Sequence, residues 1–152
     1  MIDLRAVLPF LLPKAIAWAE AEASVAATTG QALTQVQQTI ARSVGVAHPD
    51  LIRVSLVNEL PMPSDPELYA AAVQTGLVGT HMAGLTLGYS VFVRHGYDTW
   101  RLLSHEFRHV YQYEQAGSIA AFLPVYLQQI IEVGYANAPL ELDARAHERV
   151  MI

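Results

Sequence analysis

The chain has 152 residues, of which 53% are hydrophobic and 15% charged, and its formal net charge at pH 7 is −5. High hydrophobicity with few charges excludes a disordered chain, and the acidic balance without a run of basic residues argues against nucleic acid as a partner. Because the sequence contains no cysteine, disulfides and thiolate metal sites are excluded, and any metal must be held by His, Asp or Glu side chains.

The first 45 residues predict two helices. Pro13 suits the first turn of a helix that runs to about Thr28, with Gly30 beyond it as a stop. Thr34 can cap a second helix, which Gly45 ends. The apolar stretch before the first helix is short and interrupted by proline, so we expect neither a cleaved signal peptide nor a membrane span, and we expect the protein to be cytoplasmic.

The middle of the chain predicts short strands and one short helix. Residues 51–57 alternate between apolar and more polar side chains, which is typical of a half-buried strand. Pro66 opens a short helix that ends before Gly76. Residues 84–88 and 89–94 then predict either a pair of short strands or one bent strand.

The last third of the chain predicts three helices. Asp98 or Thr99 can cap the first, which ends at Gly117. The second lies within 118–133 and contains Pro124, which predicts a kink or a later start.

Pro139 opens the final helix, which reaches about Val150. The order of helices, strands and helices predicts an α+β fold with a small antiparallel or mixed sheet packed against several helices. The length predicts a single compact domain over residues 1–152.

The first of these C-terminal helices carries the pattern His-Glu-x-x-His at residues 105–109. On a helix, His105 and His109 point from the same face, so their two imidazoles can share one tetrahedral Zn²⁺. Glu106 lies one step around the helix, where its carboxylate can take a proton from a metal-bound water that attacks a carbonyl. The pattern therefore predicts a zinc-dependent hydrolase with Glu106 as general base. The alternative is a surface helix with incidental histidines.

A catalytic zinc needs a third protein ligand and an open fourth position. Glu114 lies on the same helix as the histidines and cannot easily fold back to the metal. We prefer Glu141, because the intervening chain is long enough to bring a second helix antiparallel to the first, and the small Ala144 would let the two helices approach closely. The other candidates are Asp143, His147 and Glu148.

These two stretches resemble the gluzincin clan of zinc metallopeptidases. His-Glu-Phe-Arg-His at residues 105–109, followed by Glu-Leu-Asp-Ala at 141–144, is similar to the clan's helix with two His and a Glu and its later Glu-x-x-Ala. The resemblance implies a minimal zincin-like fold, a peptide or protein substrate, and Glu106 as general base. It also implies zinc at His105, His109 and Glu141.

The sequence departs from this clan at one position. In many gluzincins an Asp follows Glu-x-x-Ala and braces a ligand histidine, whereas this chain has Arg145 there. Asp143 or Glu148 can supply the brace, because a ligating His usually donates its second N–H to such a group. A zinc-binding interaction module of the same fold, without peptidase activity, is the alternative function.

Several further side chains admit two interpretations. A tyrosine hydroxyl near the motif can stabilise an oxyanion, but tyrosines in helices more often pack, so none is assigned; these residues are Tyr111, Tyr113, Tyr126 and Tyr135. His81 and His95 are lone histidines, which are usually structural or exposed. Arg108 is expected to be solvated or paired with a carboxylate. The strand at 89–94 is either an edge strand that aligns an extended substrate or an ordinary core strand.

Overall fold

A computed structural model describes residues 2–77 and 82–150. The described residues form six α-helices and four β-strands. The helices are α1 (Leu4–Thr29), α2 (Gln35–Ser43), α3 (Pro66–Thr75), α4 (Trp100–Ala116), α5 (Ile119–Val133) and α6 (Pro139–Ala146). The strands are β1 (Gln31–Ala32), β2 (Arg53–Val57), β3 (Gly84–Leu87) and β4 (Ser90–Arg94).

The four strands form one mixed sheet in the order β1-β2-β4-β3. The pairs β1–β2 and β3–β4 are antiparallel, whereas β2 and β4 run parallel with Arg53 opposite Ser90. The predicted α+β class is therefore confirmed, and the sheet is of the mixed kind. Strand β1 was not predicted, because two residues carry too little alternation to be recognised.

Strand β4 lies inside the sheet, between β2 and β3. The prediction that residues 89–94 form a substrate-aligning edge strand is therefore wrong, and its alternative of a core strand is correct. Val91 and Val93 are fully buried, as expected of a strand with a neighbour on each side. The edge of the sheet next to the histidine helix is β3 instead.

Helix α1 begins nine residues earlier than predicted. Asp3 caps it, with a side-chain oxygen that accepts a hydrogen bond from the Ala6 amide. Pro9 and Pro13 both lie inside the helix, four residues apart on its exposed side. The residues whose carbonyl oxygens lose a helical partner there, Arg5 and Pro9, are both exposed, and the helix continues through both prolines.

The other helix boundaries lie close to their predictions. Thr34 caps α2 and forms a reciprocal capping box with Gln37. Helix α5 begins after its cap Ser118 and contains Pro124 in its second turn. Helix α6 ends at Ala146, four residues before the predicted end.

Helix α4 is the central element of the fold. Its apolar face packs on the sheet and on α2 through Leu103, Phe107 and Val110, all of which are at most 2% exposed. Its opposite face turns His105 and His109 toward α6. Burying one face of α4 in the core therefore fixes the direction in which the other face points.

No single helix among the described residues is long and apolar enough to cross a membrane. Helices α4 and α5 have the length and composition of a membrane span only when taken together, and the chain bends by 116° between them.

Candidate metal centre

Helix α4 carries two of the three predicted metal ligands. Thr99 caps the helix by accepting a hydrogen bond from the Leu102 amide, and Gly117 ends it with φ of 98°. His105 and His109 lie one turn apart, with their ring centroids separated by 4.9 Å. Both are buried, so their orientation is set by packing and by their hydrogen-bond partners.

Glu141 brings its carboxylate to both histidines from the first turn of α6. Its Oε1 lies 3.2 Å from Nε2 of His105, and its Oε2 lies 3.0 Å from Nε2 of His109. One ligand atom from each residue lies within 4.8 Å of the others, and all three side chains are buried. Ligands about 2.1 Å from a tetrahedral zinc lie about 3.4 Å from one another, so these spacings fit one metal ion.

Electrostatics at these residues also favours a cation. Burial alone would lower the pKa of His109, but the hydrogen bond that it donates to Glu141 and the negative charges of Glu141 and Glu106 raise this pKa to about 9. The pKa of His105 is raised for the same reasons against the same opposing burial. Burial would raise the pKa of Glu141, yet its hydrogen bonds with the two histidines hold it well below its usual range. The negative charge that favours protons here equally favours a divalent metal ion.

Each candidate histidine ligand has a second partner that fixes its ring. Nδ1 of His105 lies 2.9 Å from Oε2 of Glu148, and Nδ1 of His109 lies 2.8 Å from Oε1 of Gln112. Gln112 in turn donates from Nε2 to Asp143 at 2.8 Å. Both carboxylates proposed as braces therefore take part, Glu148 directly and Asp143 through Gln112.

Gln112 was not singled out in the sequence, although one signal pointed to it. It lies three residues after His109, on the same face of α4, where an amide can reach the imidazole. Arg145, which occupies the position of the expected acid, points away and donates to the Ala136 carbonyl oxygen.

Glu106 lies beside these candidate ligands, and a residue of the sheet holds its carboxylate in place. Its Oε1 accepts a hydrogen bond of 2.8 Å from the Thr86 hydroxyl of edge strand β3. A Cβ atom placed on Gly84 would lie 3.0 Å from Cγ, Cδ and Oε2 of Glu106, so only glycine leaves the carboxylate undisturbed. The carboxylate is thus fixed by β3 and is not part of the three-residue cluster that can hold a metal.

The tyrosines near the motif have distinct environments. Tyr126 donates its hydroxyl to Oε2 of Glu141 at 2.8 Å, so it positions a predicted ligand. Burial, followed by the charge of Glu141, raises the pKa values of Tyr126 and Tyr135. Tyr113 donates to the Thr86 carbonyl oxygen at 3.2 Å and stacks on Phe122, which matches the packing interpretation.

Of the remaining candidates, none joins the metal-binding cluster among the described residues. Glu114 accepts hydrogen bonds from the Tyr89 hydroxyl and from the backbone amides of Ala47 and His48. His147 lies against the backbone carbonyl of Asp143. His95 is exposed, and His81 lies outside the described residues.

Arg108 is paired with a carboxylate, as predicted, but it is mostly buried rather than solvated. Its guanidinium contacts both carboxylate oxygens of Asp143 and donates to the Val44 carbonyl oxygen at 2.7 Å. It also stacks over the ring of Tyr111 at 3.9 Å. These contacts tie α4 to both α6 and the end of α2.

The candidate ligands open onto a large cavity. Its volume is about 550 Å³, and Glu106, His109 and Glu141 form part of its lining. Most of the remaining wall is apolar. A molecule that enters this cavity therefore reaches the metal-binding cluster and Glu106 together.

Comparison of the chain with protein-family profiles, with characterised proteins and with solved structures gives no significant match. The class that the observations define is therefore an α+β domain with a buried His-His-Glu group that can hold a metal ion.

Proposed function

We propose that this protein is a zinc-dependent metallopeptidase with a minimal zincin-like fold. The observation that carries the proposal is the convergence of His105, His109 and Glu141 on one point, with the carboxylate of Glu106 held beside it. Two imidazole nitrogens and one carboxylate are a known ligand set of catalytic zinc, and such sites leave a fourth position for water or substrate.

The chemistry divides between the metal and the chain. When bound, a zinc ion supplies a Lewis acid that polarises the substrate carbonyl and lowers the pKa of water. Glu106 accepts the proton of the attacking water and passes it to the leaving amine nitrogen. The Thr86 hydroxyl holds Glu106 in position for both transfers.

The outer edge of β3 offers a place for an extended substrate. The Arg94 amide donates to the Ala83 carbonyl oxygen, so in this antiparallel ladder the N–H and C=O of Gly84 turn away from β4. No described strand pairs with this edge. A peptide added here would pass Glu106, which Gly84 contacts.

The test begins with the metal. Purified protein is expected to bind about one equivalent of zinc, which the variant His109→Ala loses and the variant His95→Ala, at an exposed histidine, keeps. A wild-type protein that binds no zinc would overturn both the peptidase proposal and the interaction-module alternative.

The second step separates catalysis from metal binding. The zinc-loaded protein is expected to cleave a peptide library, and Glu106→Gln is expected to abolish cleavage while zinc stays bound. Glu132→Gln, at an exposed glutamate of α5, is the matched control. Full zinc occupancy without cleavage would instead favour the non-proteolytic zinc-binding module.

A further inference from the structure

The cavity beside the candidate metal centre is long as well as large. Its volume is about 550 Å³, within the range of about 300–1,000 Å³ that is common for small-molecule sites. One face of α1 lines it with side chains spaced three or four residues apart: Leu4, Leu8, Leu11, Ala15 and Ala19. At about 1.5 Å per residue, α1 rises by about 22 Å from Leu4 to Ala19. The cavity therefore extends much further than a single amino-acid side chain.

The polar groups of the cavity gather at one end. Glu106, His109 and Glu141 all line it, and they form part of the candidate metal centre. Ala19 belongs to an apolar cluster against which Tyr126 packs, and Tyr126 donates a hydrogen bond to Glu141. The Ala19 side of α1 therefore adjoins the metal-binding end, and the Leu4 side is remote from it.

The remote half of the cavity lies between α1 and α3. One apolar cluster joins the two helices, and its buried members are Leu11, Ala15, Leu68 and Ala71. The described residues of α1 and α3 that line the cavity include no charged side chain. A charged group placed between these helices would lose its hydration, whereas an apolar chain would gain from burial.

An apolar rim marks where the cavity opens to solvent. Met62, Tyr69 and Val73 line the cavity and are 42–50% exposed. The remaining charged lining residues, Glu59 and Arg94, belong to neither α1 nor α3. An apolar molecule can therefore enter past apolar side chains and continue between the two helices.

We infer that this cavity binds the long linear chain of a fatty acid, with the tail between α1 and α3 and the carboxyl group at the metal-binding end. A carbon chain with bonds of about 1.5 Å advances by about 1.3 Å per carbon, so about 22 Å accommodates about 16 carbons. Lipid binding is a function beyond the proposed peptidase activity, and the placement of the tail does not depend on that activity.

The metal-binding end sets the conditions for the carboxyl group. In the zinc-free protein, Nε2 of His105 and of His109 both face Glu141, so a fatty-acid carboxylate would lose its hydration without gaining these donors. Zinc held by the same three residues would leave a fourth position that a carboxylate oxygen can occupy. A fatty acid should therefore bind the zinc-loaded protein more tightly, whereas a neutral alcohol should bind both forms.

A series of linear alcohols from hexanol to tetradecanol tests the length of the site in the zinc-free protein. Equilibrium dialysis with radiolabelled alcohols, kept below their solubility limits, measures the affinity. Burial of one methylene improves affinity about fourfold, so tetradecanol should bind at least about a hundredfold more tightly than hexanol. Affinities within about tenfold of each other, as expected of a pocket the size of one side chain, would overturn the inference.

Variants of Leu8 test where the tail ends. Leu8 lies about 17 Å along α1 from Ala19, so only a long chain reaches it. Leu8→Gln places an amide against the tail, and Leu8→Met keeps an apolar side chain of similar length. Relative to Leu8→Met, Leu8→Gln should bind tetradecanol about tenfold more weakly and hexanol equally, because burial of an amide without a partner is unfavourable.

A second pair of variants tests the wall from α3. Ala71 lines the cavity, whereas Ala70 lies on the same helix and is exposed. Ala71→Phe should weaken tetradecanol binding about tenfold, and Ala70→Phe should leave it unchanged. Circular dichroism selects folded variants, and this pair replaces the first if a Leu8 variant unfolds. Equal binding of tetradecanol to both members of a folded pair would overturn the placement of the tail.

Tetradecanoate tests the placement of the carboxyl group. It should bind zinc-loaded protein about tenfold more tightly than zinc-free protein, whereas tetradecanol should bind the two forms equally. Equal affinity of tetradecanoate for both forms would overturn this placement. If zinc-loaded protein cleaves no peptide, the peptidase proposal fails, and the alcohol series still decides whether the cavity binds a lipid chain. Peptide cleavage by a protein that binds neither tetradecanol nor tetradecanoate would overturn the lipid site alone.

Discussion

Replacing Gln112 by methionine isolates the brace on His109 without removing a predicted ligand. Oε1 of Gln112 accepts a hydrogen bond from His109 Nδ1 at 2.8 Å, and Nε2 of Gln112 donates to the Leu140 carbonyl oxygen at 2.9 Å and to Asp143 at 2.8 Å. Methionine has a similar length and shape but cannot make these hydrogen bonds. The substitution therefore removes a polar network while it keeps the packing of a buried side chain.

The structure sets the size of the expected effects. Asp143 keeps its two contacts with Arg108, and the part-buried Leu140 carbonyl stays within the helical hydrogen bonding of α6, so the buried group left without a partner is His109 Nδ1. One unsatisfied buried group predicts a loss of about 1–3 kcal/mol in the free energy of unfolding. The free energy of unfolding of a domain of this size is about 5–15 kcal/mol, so the variant should stay folded. Loss of a partner behind a ligating histidine lowers metal affinity about 10- to 100-fold.

Competition with a chromophoric chelator measures zinc affinity, and urea unfolding of the zinc-free protein measures stability. Gln115→Met, at an exposed glutamine of the same helix, is the matched control and should change neither quantity. Zinc affinity within twofold of wild type in a folded Gln112→Met protein would refute the reasoning, because His109 would then need no brace to bind metal.

Three further predictions follow from the supports of the site. Thr86→Val removes the hydrogen bond to Glu106 and should lower kcat for peptide cleavage about tenfold with zinc affinity unchanged, whereas Thr86→Ser should restore it; equal rates for the two variants would contradict this role. Gly84→Ala should leave zinc binding intact and lower kcat about tenfold, because Glu106 must shift by a few tenths of an ångström; a wild-type rate would count against the contact. Glu148→Gln should weaken zinc binding about tenfold in the chelator assay, because Glu148 contacts the candidate ligand His105. This value is the lower end of the range of about 10- to 100-fold for such partners, since the contact is partly exposed. An unchanged zinc affinity would show that Glu148 is not a brace.

Local signals predicted the parts of this fold that depend on a few neighbouring residues. The caps Thr34 and Thr99 and the stop at Gly117 lie where the sequence indicated, because each acts on the first or last turn of its own helix. The predicted start of α1 was wrong, because Pro13 is a stronger sequence signal for the first turn of a helix than Asp3, the residue that caps α1. A proline within a helix is tolerated when it faces solvent, and solvent exposure is a property of the whole fold.

Long-range pairing was beyond local signals. The parallel alignment of β2 with β4 joins segments separated by α3 and β3, and nothing in either strand specifies its neighbour. That pairing places β4 inside the sheet and leaves β3 at the edge beside Glu106. The proximity of His105, His109 and Glu141 could be predicted from the sequence, since it depends only on the repeat of one helix and on a second helix packing back against it. The residues that brace the two histidines could be predicted only in part, because Gln112 on α4 contacts Asp143 on α6 and this contact depends on how the two helices pack.

Glu106 and Glu141 show why residue type alone does not assign a role. Both are buried carboxylates in one cavity, yet Glu141 faces the Nε2 atoms of both histidines and accepts a hydrogen bond from Tyr126. The Glu106 carboxylate accepts a hydrogen bond from the Thr86 hydroxyl, and its Oε2 lies against Gly84, which has no side chain. Two carboxylates in unlike environments are the usual arrangement when one group binds and the other transfers protons. The surroundings of each carboxylate therefore support a ligand role for Glu141 and a proton-transfer role for Glu106.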